Sequence, residues 1–201
     1  ALNDLRESPV RHLLLSNPTL TRAEFYEFLA KGFNLSPEAA TSKTQFLFEL
    51  RSELVERQEA SVRSALIFDE AQTAFGRLGH WFGCERYGYE PDIMTVAKAL
   101  TSAYAPMGGM IVSDRVFEPY SEGTASFAHG STFAGHPVAA AVAMANLDVF
   151  EREDLCGHVL AKEDEFRGAL ESLYDIPIVG DVRGDGYFFA IELVKDKDTK
   201  E

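Results

Sequence analysis

With 201 residues, 46% of them hydrophobic and 25% charged, the chain is long enough to bury a sizeable core in one large or two small domains. Its net charge of −13 has the wrong sign for general affinity to nucleic acid or to anionic membranes, and leaves a small-molecule site open. Two cysteines, Cys84 and Cys156, are too few and too far apart for a disulfide scaffold or a zinc site, so no metal centre is expected.

Residues 1 to about 60 read as an all-helical module. Thr21 with Glu24 forms a capping box that starts a helix, Phe25, Phe28 and Leu29 give its apolar face, and Gly32 is the stop. Ser36-Pro37 opens a second helix, with Phe46, Leu47, Leu50 and Leu54 at helical spacing. Two helices around a short turn suggest a nucleic-acid reader. Glu38, Glu49, Glu53, Glu56 and Glu59 make the second one acidic, which argues against phosphate contact and for a packing module.

Past Arg63 the texture changes to short apolar runs alternating with helical stretches, an α/β pattern spanning 61–201. Ser64 to Phe68 predicts a buried strand that delivers Asp69 and Glu70 at its C-terminal end. A glycine- and aromatic-rich loop follows from Phe75 to Tyr89. Ile93 to Ala97 and Met110 to Val112 are two more strands, Pro137 to Phe150 and Gly157 to Tyr174 two helices, and Tyr187 to Val194 a last strand. The longest small-apolar stretch, Pro137 to Ala145, gives way to Asn146 and Asp148 and falls far short of the roughly 20 residues of a membrane span. Asp4, Arg6 and Glu7 do not suit a signal peptide, so a reducing cytoplasm is the expected setting.

Three features suggest chemistry. Asp69 ends a strand where α/β folds place ligand groups, and a carboxylate there can hold the proton of a heterocyclic nitrogen. Taken alone, a strand-end acid is more often solvated or a helix cap. Lys98 follows a strand, and a desolvated lysine amine adds to aldehydes. A single such lysine is nearly always surface charge. Ser131 and Thr132 precede the Pro137 helix, where free N–H groups suit phosphate, although such hydroxyls are usually turn residues.

Together the strings say more. Asp69-Glu70-Ala71-Gln72-Thr73-Ala74-Phe75-Gly76-Arg77 resembles the segment of the class III pyridoxal-phosphate-dependent aminotransferases in which an aspartate meets the pyridine nitrogen. The run from Pro91 through Lys98 to Ser102, completed by Ala105-Pro106-Met107-Gly108-Gly109, resembles that family's lysine segment. Phe127 to Pro137 resembles its phosphate-contact segment. The resemblance covers roughly 64–195, is closest to the ω-amino acid:pyruvate type, and implies part of a fold-type I domain: a mostly parallel sheet with flanking helices, running into the start of a C-terminal small domain. It implies pyridoxal phosphate as cofactor. Asp69 would face the ring nitrogen, Gln72 the phenolic oxygen and Ala71 the ring face. Lys98 would bond the cofactor aldehyde and move the substrate proton. Thr132, with Ser131 beside it, would reach the phosphate of a neighbouring subunit, which implies a homodimer with shared sites. The substrates implied are an amine or ω-amino acid and a 2-oxo acid. Arg183 in Val182-Arg183-Gly184 matches a family string and reads as structural.

Alanines at 74 and 103 replace family glycines that serve a positive φ or a close approach, each at a cost of about 1 kcal/mol. The family's Gly/Ser-rich phosphate cup, ring-stacking aromatic and substrate-binding arginine have no counterpart here, so impaired transamination is expected. A non-catalytic fragment acting through association is the alternative. Ala65 to Gln72 also resembles the acidic box of helicase-like ATPases, but the chain has no Gly-x-x-x-x-Gly-Lys-Ser/Thr string to go with it.

Overall fold

The computed structural model describes residues 13, 22–62, 64–123, 125–197 and 199. The chain divides into two compact units, Ala1–Ser64 and Ala65–Glu201.

The first unit contains α1 (Arg22–Phe33), α2 (Pro37–Thr41) and α3 (Lys43–Glu59). Thr21, the expected cap of α1, lies outside the described residues. The helix stops at Asn34 rather than Gly32: Asn34 takes φ 58, and the amides of Asn34 and Leu35 turn back to Lys31 O and Ala30 O at 3.2 and 2.8 Å. This is the Schellman closure with asparagine in place of the usual glycine. Gly32 serves a close approach instead, since a Cβ there would collide with the Leu13 side chain.

Ser36 caps α2, accepting from Ala39 N at 3.3 Å. The helix expected to continue from Pro37 breaks at Ser42, which turns extended and caps α3 through Gln45 N at 3.4 Å. Glu49 ties the two together by accepting from the Ser36 amide and hydroxyl at 2.7 and 2.5 Å. The hydrogen bond from the Ser36 hydroxyl is the main reason its carboxyl sits below the usual range. Ala30, Ala39 and Phe46 form the small core, with the Tyr26 and Phe46 rings 5.1 Å apart. Of the predicted face, Phe46 is buried and Leu50 half-buried, while Leu47 and Leu54 are exposed. Leu47 lies about 100° round the helix from Phe46, beyond the reach of the five-residue α2.

In the second unit, β1 (Ile67–Asp69), β2 (Ile93–Val96) and β3 (Gly109–Val112) form one sheet in that order. β1 and β2 are parallel and β2 and β3 antiparallel, so this three-stranded part of the α/β sheet is mixed. The aromatic loop between β1 and β2 contains a short α4 (Gly83–Tyr87), and α5 (Asp114–Ser121) follows β3. α6 (Pro137–Arg152) and α7 (Leu155–Glu171) fall where helices were expected, and a 3-10 turn, Ser172–Asp175, closes the second.

The last strand has a partner that the sequence hid: β4 (Val179–Asp185) pairs antiparallel with β5 (Phe188–Leu193). Gly180, Asp181, Arg183, Gly184 and Asp185 give β4 the composition of a turn, and its strand form comes from pairing. Arg183 sits in this hairpin and bonds Asp181 and Glu192 at 2.8 and 2.6 Å. The core joins sheet, loop and helix through Met94, Val96, Phe75, Ala143 and Phe150.

Candidate active site at the ends of two parallel strands

In the parallel register Asp69 lies opposite Thr95. Both strands end there, and Lys98 comes two residues after the last residue of β2, at the start of a 3-10 turn, Lys98–Leu100. Neighbouring strands are about 4.8 Å apart, so the topology brings Asp69 and Lys98 to the same end of the two strands. Asp69 Oδ1 accepts from Thr95 Oγ1 and from Ala71 N, each at 3.0 Å. Its Oδ2 has no partner among the described residues, so a fixed carboxylate keeps one oxygen for a ligand.

Lys98 adopts φ 43, a left-handed conformation that costs a residue with a Cβ on the order of 1–2 kcal/mol. Strain of this kind gathers at functional sites. Lys98 is exposed in this chain. Asp69 and Gln72 are exposed as well, and Ala71 is half-buried.

Glu70, the second acid of the pair, turns the other way. It is 3% exposed and accepts from Gly83 N at 3.0 Å, Cys84 N at 2.7 Å and the Thr73 hydroxyl. Committed to backbone and hydroxyl donors, it has no room to manage a metal and water, which disposes of the ATPase reading by geometry as well.

Ser131 and Thr132 are exposed in the turn ahead of α6. No hydrogen bond joins them to Lys98 among the described residues. α6 meets the lysine turn at Asn146, the tenth residue of the helix, so the start of the helix at Pro137 lies about 14 Å from that contact along the axis.

The two alanines that replace family glycines behave differently. Ala103 does take positive φ, 63, whereas the left-handed residues near Ala74 are Phe75 and Gly76. Ala74 is 2% exposed, so packing rather than backbone sign constrains it. Sequence reasoning missed Thr95 and Asn146, because neither carries a signal until pairing and packing place it against Asp69 and the lysine turn. The surface clefts along α3 (Phe48, Arg51, Val55) and along α5 (Asp114, Phe117, Ser121) touch neither Asp69 nor Lys98.

The sequence model for class III aminotransferases matches residues 41–201. The chain belongs to the class III aminotransferases. A probable aminotransferase of Mycobacterium tuberculosis is 56% identical over 154 residues, 77% of this chain and 32% of that protein. The putrescine–pyruvate aminotransferase of Pseudomonas aeruginosa is 46% identical over 136 residues, 67% of this chain and 30% of that one. Among solved structures, an (S)-enantioselective ω-transaminase from Thermomicrobium roseum superposes with a TM-score of 0.66 at 42% identity, over 73% of this chain and 32% of the other. The ω-transaminase of Pseudomonas jessenii, solved in complex with PMP, gives 0.64 at 37% identity, over 75% of this chain and 34% of that one.

This aminotransferase chain thus spans about a third of the length of these relatives. The match starts at residue 41, so it takes in α3 although α3 carries none of the three strings. Among the described residues, no helix of this class III chain is long and apolar enough to cross a membrane.

Proposed function

We propose that the chain carries the lysine–aspartate half of a pyridoxal-phosphate-dependent transamination site. The amino group would come from an amine or ω-amino acid and go to a 2-oxo acid such as pyruvate. The observation that supports this best is the shared end of two parallel strands: Asp69, braced through Oδ1 with Oδ2 left over, ends β1, and Lys98 in left-handed backbone follows β2. The residues suit the cofactor, since Oδ2 can accept from a protonated ring nitrogen while an exposed primary amine meets an aldehyde. When bound, pyridoxal phosphate supplies a ring that accepts electrons from the substrate carbon.

Asp69 keeps the ring nitrogen protonated. Lys98 Nζ would hold the cofactor and carry the proton taken from the substrate carbon. Ala71 would face the ring and Gln72 the phenolic oxygen. Ser131 and Thr132 serve the phosphate of a second copy, so the working form is a homodimer with shared sites. The pyruvate acceptor rests on the Pseudomonas aeruginosa relative, whose name gives putrescine and pyruvate.

By itself the 201-residue chain turns over weakly, because Asp69 and Lys98 lie exposed and water is not excluded from them. The test is a visible absorption spectrum of purified protein with pyridoxal phosphate, for wild type and Lys98→Ala, followed by borohydride trapping and peptide mapping. A yellow band that requires Lys98, with label on the peptide that contains it, supports the reading. No band, or one indifferent to Lys98, overturns it.

The alternative is a non-catalytic role through association. It draws on the apolar residues exposed on β1 and β3: Ile67 at 60%, Met110 at 51% and Ile111 at 44%. Gel filtration of the chain, alone and with a full-length homologue, tests it, and a monomer that does not co-elute counts against it.

A further inference from the structure

We propose that Asn146 is a positioning residue for Lys98, an inference that rests on reading Lys98 as the cofactor lysine. Lys98, Ser102 and Ala103 all hold left-handed backbone, at φ 43, 47 and 63. Each is uphill for a residue with a Cβ by on the order of 1–2 kcal/mol, so a turn containing all three persists only where its surroundings hold it. Of the turn's internal bonds, Leu100 N to Ala97 O and Tyr104 N to Thr101 O are 3.0 Å and Thr101 Oγ1 to Ala105 O is 2.6 Å, but the two that span its middle, Thr101 N to Lys98 O and Ser102 N to Ala99 O, are long at 3.3 Å. The external restraint comes from α6.

Asn146 Nδ2 donates to Ala99 O at 2.8 Å and Leu100 O at 3.1 Å, and its Oδ1 accepts from Ser102 Oγ at 2.8 Å. Chemistry fixes the orientation of the amide: two carbonyl oxygens need a donor with two N–H groups, and a hydroxyl takes the carbonyl. One side chain thus grips the residues on both sides of Thr101, which is itself 1% exposed.

Packing alone gives no reason for an amide there. Asn146 falls in register with Ala139, Ala143 and Phe150, the buried residues of α6, where the helical period calls for an apolar residue. A polar residue that breaks the pattern on a buried stripe and spends its amide on the lysine turn is placed to hold that turn.

The test compares wild type, Asn146→Leu and Leu147→Ala, the last trimming a neighbouring core contact. Two readouts are taken: amide hydrogen exchange over 98–104, and the pyridoxal phosphate concentration needed for the Lys98-dependent band. Asn146→Leu is expected to raise exchange in that segment about tenfold or more and to weaken cofactor binding about tenfold. Leu147→Ala is expected to lower the melting temperature without either effect. Wild-type exchange and binding in Asn146→Leu would overturn the proposal, as would the same changes in Leu147→Ala. If wild type forms no band, the cofactor reading fails, and exchange over 98–104 still decides whether Asn146 holds the turn. Should the leucine variant fail to fold, Asn146→Asp keeps size and acceptor but sets a carboxylate against two carbonyl oxygens, and the same outcomes apply.

Discussion

Thr95 Oγ1 donates to Asp69 Oδ1 at 3.0 Å, directly across the parallel register of β1 and β2. The bond fixes one carboxylate oxygen, and the other has no partner among the described residues. Thr95→Val keeps the shape and removes only the hydroxyl. It is expected to weaken pyridoxal phosphate binding about 5- to 10-fold, roughly 1 kcal/mol, with the melting temperature unchanged. Spectral titration with the cofactor measures this, and equal affinity in the two proteins would show that Asp69 needs no such brace.

The two adjacent acids should separate cleanly in stability. Glu70→Ala strips the acceptor from the buried Gly83 and Cys84 amides and is expected to cost about 3 kcal/mol. Asp69→Ala, at an exposed position where water can replace the lost bonds, should cost less than about 1 kcal/mol. Urea unfolding followed by circular dichroism reads both. Similar costs for the two would refute the inward–outward division.

At Ala103 the backbone asks for glycine. The residue is exposed and sits at φ 63, so Ala103→Gly removes strain without opening a cavity. A gain of about 1 kcal/mol, or roughly 2–4 °C in melting temperature, is expected after the entropy of the unfolded glycine is offset. A loss of stability would mean that this turn does not need left-handed backbone.

Arg86 joins α4 to α7 through a two-pronged pair with Glu163, at 2.9 and 2.8 Å. Hydrogen bonds from Arg86 hold the Glu163 carboxyl below its ordinary range, outweighing burial, which pushes it up. A carboxyl depressed by folding adds stability above its unfolded pKa of 4.5, and that contribution is lost as pH falls through the lower folded value. Thermal melts from pH 7 to pH 3 should therefore show wild type losing stability below about pH 4.5, with a shallower loss in Glu163→Gln. Arg86→Met, which takes the nearer cation from a buried carboxylate and leaves it only Arg167 at 3.6 Å, is expected to cost roughly 2–3 kcal/mol at pH 7. Parallel pH profiles for wild type and Glu163→Gln would remove the pair from this account.

What the amino-acid order determined by itself was local and chemical. Apolar runs ending in Asp69-Glu70 and Lys98 announce strands that deliver polar groups, and Pro137 with its alanine run announces α6, because these signals lie within one element. Side-chain direction, pairing and backbone sign depend on neighbours distant in the chain. The sequence cannot say that Glu70 turns inward to Gly83 while Asp69 stays outward, or that a turn-like run from Val179 becomes a strand once Phe188–Leu193 lies beside it. Likewise it cannot say that the helix breaks at Ser42 or that Glu49 reaches back to Ser36. Tertiary structure alone set Thr95 against Asp69 and Asn146 against the lysine turn, because a hydrogen bond between residues 26 or 47 positions apart exists only after the sheet has paired and the helix has docked.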